Sequence, residues 1–286
     1  MRASSTETVA SDTWPPSWQT ADAPWPAGVL AGITERSGGV SAAPWDRFNL
    51  GDHVGDAPAH VHANRQRLAA AIGLRPVFMR QVHGSAVLHL QHDTPDGLTA
   101  DACWTEQPGL ACTVLVADCL PLLLATADGA SVAAVHAGWR GLAGGGADGA
   151  HGAHGAQGQG VLEALCAAWP AAQHPEQRAQ IVVWLGPCIG PQRFEVGPEV
   201  RQAFVAHDPA AAACFAPLPQ TPKYLADLPA LARQRLAALG FERVAGNDGS
   251  APWCTASQSS RFFSHRRDGA VLGASGRMAA CIGLRA

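Results

Sequence analysis

Charge is scarce in this chain of 286 residues: Asp, Glu, Lys and Arg together make up 15%, the formal net charge is −3, and no run of Lys or Arg occurs. Nucleic acids and anionic membranes are held by clustered basic side chains, so this scarcity excludes both as partners and points to a small-molecule substrate. Long hydrophobic runs are missing too. None approaches the roughly 20 apolar residues that span a bilayer, and the N-terminal stretch lacks the charged-then-apolar order of a secretory signal. The protein is expected to be soluble and cytoplasmic, a monomer or a small homo-oligomer. Its eight cysteines lack the dense, regular spacing of a disulfide framework, and a reducing compartment keeps such residues as thiols. A cysteine with a special task is then a ligand or a nucleophile.

What is present is apolar: 47% of the residues are hydrophobic, enough to bury the core of one large domain or two small ones, and one is the simpler reading. Residues 1–25 are rich in Ser, Thr, Pro and Trp without periodicity and read as a poorly ordered lead-in to a single catalytic domain over 26–286. Residues 144–160 are so dense in glycine that ordering them as helix or strand is entropically unfavourable, so they read as a flexible surface loop. His151 and His154 within it are expected to be solvated and incidental.

Short β-rich segments run over 77–82, 86–90, 110–117, 121–126, 131–136, 181–185, 261–264 and 278–284. Helical patterns cover 160–169, 198–207 and 228–239, the last closed by Gly240. The strands come in adjacent groups rather than in strict alternation with helices. That order predicts an α+β fold in which mixed or antiparallel sheets are covered by helices.

The segment from Leu115 to His136 carries the most chemistry. Two apolar runs flank Ala127-Asp128-Gly129, which predicts a β-hairpin. Cys119 and His136 are equidistant from a point between Ala127 and Asp128, so the hairpin would set them opposite each other, with Cβ atoms about 4.5–5.5 Å apart. His83, at the end of a short strand and beside Gly84, is the candidate third ligand. Two imidazoles and one thiolate leave a fourth position open, the pattern of a catalytic zinc site. The residues alone leave other readings open: a buried structural cysteine, a structural strand-end histidine, or a Cys119/His136 nucleophile pair.

Several motifs together resemble the laccase-domain family, also described as bacterial polyphenol oxidases and multifunctional purine nucleoside enzymes. They are Glu35-Arg36-Ser37-Gly38-Gly39, Phe48-Asn49-Leu50-Gly51, Gln81-Val82-His83-Gly84, Ala117-Asp118-Cys119, His136-Ala137-Gly138-Trp139-Arg140-Gly141, Gly186-Pro187-Cys188-Ile189-Gly190, Phe194-Glu195-Val196-Gly197, Phe262-Phe263-Ser264-His265-Arg266-Arg267-Asp268 and Gly276-Arg277. The likeness spans roughly 28–285 in the family's order.

The resemblance implies zinc held by His83, Cys119 and His136, and a layered α/β/β/α fold related to cysteine hydrolases. It also implies phosphorolysis of adenosine, inosine and methylthioadenosine, with deamination of adenosine. A true multicopper oxidase needs several His-x-His pairs, and only His60-Val61-His62 fits, just before an apparent helix start at Asn64. Copper is therefore at most an occupant in vitro.

Further roles follow as expectations. Arg140, four residues past His136, is the candidate phosphate-holding cation, with Arg80 and Arg266 as weaker ones. Asp118 should face away from Cys119 and orient backbone, with direct acid or base chemistry as its alternative. Ser41 and Asn49 sit in Gly-rich turns that could cradle a phosphate or a sugar hydroxyl. Rival functions are a hydrolase of cell-wall precursor peptides and a metal-dependent binding module without turnover.

Overall fold

The computed structural model describes residues 18–144 and 159–285. Two mixed sheets form its centre. The first has five strands in the order Gln19–Thr20, Val29–Ile33, Met278–Leu284, Leu110–Val116 and Arg75–Phe78. The second has six, in the order Arg243–Gly246, Val182–Leu185, Leu120–Ala125, Val132–Ala137, Ala102–Thr105 and Val87–His89. Parallel pairs lie at the edges, where Arg75–Phe78 joins Leu110–Val116, Arg243–Gly246 joins Val182–Leu185 and Val87–His89 joins Ala102–Thr105. The remaining pairs in both sheets are antiparallel.

Side-chain parity shows how the sheets are layered. Cys112, Val114, Val116, Ala280 and Ile282 of the first sheet share one apolar cluster with Leu123, Ala125, Val132 and Ala134 of the second, so the two sheets pack face to face. The opposite face of the second sheet, with Leu122, Leu124, Ala133 and Val135, meets helices Val161–Ala168, Pro198–Val205 and Leu228–Ala238. The opposite face of the first, with Ala111, Leu115, Ala279 and Cys281, meets Leu68 and Ile72 of helix Pro58–Ile72. The fold is thus α+β, in four layers. Each large aliphatic side chain buried this way contributes roughly 1.5–3 kcal/mol.

Local signals fix the helix ends. Pro58 occupies the first turn of its helix, where its missing N–H costs no bond, and Gly73 ends it in a left-handed conformation with φ 66°. Asp227 caps Leu228–Ala238 by accepting from the amide of Ala230 at 2.9 Å.

Four expectations change. The helix expected to begin at Asn64 begins at Pro58, so His60 and His62 lie inside it. Residues 261–264 are not a strand; Phe262 and Phe263 are fully buried anchors of the wide turn His265–Gly269 that follows. Of the lead-in expected over 1–25, the described residues belong to the fold: Gln19–Thr20 pair with Val29–Ile33, Ala21 is buried and the Trp18 ring lies tilted against Phe48. Finally, the hairpin register pairs Ala125 with Val132 and Pro121 with His136, which centres the turn between Asp128 and Gly129, one residue later than expected. His151, His154 and most of the 144–160 loop lie outside the described residues.

Candidate metal centre

His136 lies one residue before the end of strand Val132–Ala137, on the same face as Val132 and Ala134, and so looks into the layer between the sheets. Pro121 is its cross-strand partner. Cys119 comes two residues before Pro121 and shares that face, which makes it the diagonal neighbour of His136 rather than the directly opposed one. Diagonal pairs are still within contact range. His83 approaches from the loop after Arg75–Phe78, in a left-handed conformation with φ 60°.

These three residues are one group, with their ligand atoms all within 4.8 Å of one another. Cys119 Sγ is 3.5 Å from His83 Nε2, and the two imidazoles meet edge to face with ring centroids 4.8 Å apart. One ion with bonds of roughly 2.0–2.3 Å can bridge such a set after small side-chain rotations. Close approach here depends on Gly138. A Cβ on it would stand 2.5 Å from His83 Cδ2 and 3.2 Å from Cys119 Sγ. Gly141 admits the same turn, since a Cβ there would stand 2.8 Å from the carbonyl oxygen of Gly84. The donor types, their spacing and the missing side chain at 138 all fit a single metal ion.

Burial would raise the Cys119 thiol, but the charge and hydrogen bond of His136, with help from His83, outweigh it and bring the thiol down to about 6. Burial would likewise lower His136, yet the Cys119 charge and the hydrogen bond to Asp101 push it up to about 9. Metal-free, the pair is a thiolate and an imidazolium near neutral pH. A deprotonated thiol is the form that binds a metal.

Asp101 is fully buried and lies directly before strand Ala102–Thr105, whose register sets Ala102 against Val135 and so Asp101 against His136. Its Oδ1 is 2.8 Å from His136 Nδ1 and accepts from the amide of His83 at 2.9 Å. Its Oδ2 accepts from the amides of Val82 and Gly84 at 3.2 and 2.8 Å. Burial works to raise its carboxyl, but the bonds from His136 and from these amides hold it below the ordinary value. Sequence reasoning missed Asp101 and Gly138. The signals were a single acid inside an apolar stretch, Ala100-Asp101-Ala102-Cys103-Trp104, and a glycine two residues after a ligand.

Asp118 also stands in a left-handed conformation, φ 87°. Its Oδ1 accepts from Thr255 Oγ1 at 2.6 Å, and its Oδ2 accepts from Ser264 Oγ at 3.0 Å and the amide of Arg266 at 2.7 Å. The carboxylate ties the segment bearing Cys119 to the turn at His265–Gly269 and is engaged at both oxygens, which fits the orienting role and not direct acid or base chemistry.

The other expected residues scatter. Arg140 is exposed, its guanidinium 4.4 Å over the Trp139 ring, and it forms no ion pair among the described residues. Arg80 donates twice to Thr99 Oγ1, and the Arg266 guanidinium donates to the carbonyl of Glu195 at 3.0 Å. Asn49 is fully buried: its amide donates to Gly51 O and Asp56 Oδ2 and accepts from the amides of Gly51 and Arg277. That exhausts two donors and two acceptor sites, leaving nothing for a phosphate or sugar. Ser41 is buried and accepts from Asn64 Nδ2 at 3.0 Å. Asn49 is thus committed to holding its loop, and Ser41 lies buried beside it. His60 faces Asp56, its Nδ1 3.5 Å from Oδ1, and joins no metal-type group among the described residues.

Fold and site together define an α+β protein built on two packed central sheets and carrying a His–Cys–His cluster able to hold a metal ion. A family model described as multi-copper polyphenol oxidoreductase laccase matches residues 30–285, and the chain belongs to that family. Escherichia coli purine nucleoside phosphorylase YfiH is 45% identical over 263 residues, covering 91% of this chain and 96% of its own. A Pseudomonas aeruginosa purine nucleoside phosphorylase is 44% identical over 250 residues, covering 87% and 93%. Among solved structures, a Neisseria meningitidis protein matches with a TM-score of 0.79 at 39% identity, covering 94% of this chain and 100% of its own. YlmD from Geobacillus stearothermophilus matches with a TM-score of 0.74 at 30% identity, covering 94% and 97%.

Proposed function

We propose that this protein is a zinc-dependent purine nucleoside phosphorylase acting on adenosine, inosine and methylthioadenosine, with adenosine deamination as a side activity. The single observation that carries the reading is the convergence of His83, Cys119 and His136 around a point left open by Gly138. Relatives that share most of the chain's length carry the purine nucleoside phosphorylase name. A thiolate with two imidazoles favours zinc, and one three-donor group among the described residues is too few for the several coppers of a multicopper oxidase. Bound there, zinc would supply Lewis acidity towards a substrate oxygen or water.

The chain's own residues would then act as follows. Asp101 and Asp118 hold the ligand-bearing segments, Gly138 keeps the approach clear, and Arg140, exposed and without a carboxylate partner among the described residues, draws in phosphate. The substrates are small molecules, the enzyme is a cytoplasmic monomer or small homo-oligomer, and one catalytic domain over 26–286 carries the activity. No helix among the described residues is long and apolar enough to cross a membrane.

Incubation with inosine or adenosine, with and without phosphate, tests the reading. Free base and ribose 1-phosphate should form only with phosphate, and Cys119→Ala should abolish both turnover and stoichiometric zinc. Zinc retained by that variant removes the ligand assignment. The thiolate–imidazolium pair of Cys119 and His136 also suits a cysteine nucleophile, so cleavage of cell-wall precursor peptides without phosphorolysis would establish the hydrolase instead.

A further inference from the structure

We infer that Asp101 is a positioning residue that sets both histidine ligands at once: it fixes the His136 tautomer that leaves Nε2 for the metal, and it shapes the turn that aims His83. The inference rests on the metal reading above. It goes beyond the ligand set, because it places the cluster's affinity in a side chain that touches neither metal nor substrate.

Hydrogen-bond arithmetic carries the first half. Four donors surround one fully buried carboxylate. Oδ1 takes His136 Nδ1 at 2.8 Å and the His83 amide at 2.9 Å, while Oδ2 takes the amides of Val82 at 3.2 Å and Gly84 at 2.8 Å. A carboxylate whose neighbours are all donors can only accept, so the proton of a neutral His136 must sit on Nδ1. Its Nε2 then presents a lone pair, the form a ligand needs.

Backbone geometry carries the second half. Three consecutive amides, at Val82, His83 and Gly84, converge on the same two oxygens, and His83 at their centre holds φ 60°, a left-handed conformation uncommon for a residue with a side chain and held here by those bonds. The backbone also helps: the amide of His136 donates to the Asp101 carbonyl oxygen at 2.7 Å, which locks the two segments side by side. One carboxylate therefore spans strand and turn, and the relative placement of the two imidazoles depends on it.

Asp101→Asn is the informative change because it keeps the shape and swaps one oxygen for an NH2. If that group faces His136, Nδ1 must accept, and the proton moves to Nε2 and blocks the metal. If it faces the amides of Val82 and Gly84, donors meet donors and the His83 turn opens. Either way one ligand is lost from its position, and zinc affinity should fall roughly 10–100-fold.

The experiment pairs two measurements on the full chain: zinc affinity by competition with a chromophoric chelator, and imidazole nitrogen shifts of His136 by NMR. Expected are an Nδ1–H tautomer with zinc on Nε2 in the unmodified protein, and in Asp101→Asn weaker zinc binding accompanied by either a changed His136 tautomer or lost exchange protection of the 82–84 amides. A variant with wild-type zinc affinity overturns the inference and leaves the metal reading standing. If the variant does not fold, the unmodified protein still decides, since metallation of His136 through Nδ1 overturns the inference. Unmodified protein that takes up no zinc sinks both.

Discussion

Two polar clusters stand behind glycine-bearing motifs of this chain, and they differ in what their side-chain atoms bond to. The side-chain amide of Asn49 has both its donors and both its acceptor sites matched. It bonds Gly51, Asp56 and Arg277, and the backbone carbonyl of Asn49 accepts from Asn64, whose side-chain amide also reaches Ser41 and whose Oδ1 accepts from the amide of Val40. Around His136, by contrast, the supporting groups are matched while Cys119 Sγ, His83 Nε2 and the outer nitrogen of His136 turn towards one another. A closed network stabilises a loop; three converging ligand-type atoms can hold an ion once their protons leave. Polar residues in a glycine-bearing motif are thus not a site in themselves, and the deciding feature is whether metal-ligand atoms converge on one point or are tied into the surrounding backbone.

The comparison breaks most visibly if one substitution is made in each cluster. Asn49→Ala leaves the amides of Gly51 and Arg277 without their acceptor in a buried setting, and the expected loss of folding stability is roughly 3 kcal/mol, read as a lower denaturant midpoint, with zinc stoichiometry unchanged. Gly138→Ala adds a methyl 2.5 Å from His83 Cδ2, so the imidazole must turn away from Cys119. Zinc affinity should fall on the order of 100-fold, by the sensitivity of metal sites to ligand placement, while the metal-free midpoint moves little. If Asn49→Ala instead lost zinc and kept its stability, the division between scaffold and site would be wrong.

A second, smaller effect sharpens the site half. Metal-free Cys119, brought to about 6 by His136 and His83 against the opposing pull of burial, should be a thiolate above that pH and a thiol below it. Its alkylation rate should therefore rise as pH rises through about 6 and level off by neutral pH. His136→Ala removes the main stabilising charge, and the midpoint should move upward. Zinc should block the reaction at every pH tested. An unmodified protein whose alkylation rises only near the ordinary thiol value would show that the pair is not ionised as described.

Much of this was legible in the sequence, for identifiable physical reasons. The two apolar runs around Asp128-Gly129 do form the hairpin, and the three candidate ligands do lie together. The register was off by one because strands such as Leu120–Ala125 and Val132–Ala137 are buried on both faces, so no alternation of polar and apolar residues marked which side faced where. Asp101 was hidden by distance along the chain: its partner His136 becomes a neighbour only through the pairing of Ala102–Thr105 with Val132–Ala137. Phe262 and Phe263 suggested a strand, yet they anchor a turn, with Gly276 bare of Cβ so that the Phe263 ring can lie against it. Trp18 and Ala21 sat in a Pro-rich stretch without periodicity and nonetheless dock, because single apolar side chains need a pocket rather than a pattern.

The smallest expected effect concerns Arg140 and asks where the site ends. Three arginines were candidates for phosphate, and two are engaged, Arg80 with Thr99 and Arg266 with the carbonyl of Glu195. Arg140 rests over Trp139 without an ion pair among the described residues, on the short helix Trp139–Ala143 that begins three residues after His136. An exposed cation of this kind adds little to stability, so Arg140→Ala should leave the unfolding midpoint within about 0.5 kcal/mol of the parent. If it steers and holds phosphate, KM for phosphate should rise roughly 10-fold, about 1.4 kcal/mol of lost binding, while KM for the nucleoside stays put. Arg80→Ala is the control that should change neither. Equal phosphate KM values in the two variants would move the anion's place away from this helix, and the ligand cluster would then have to work with a cation from another element.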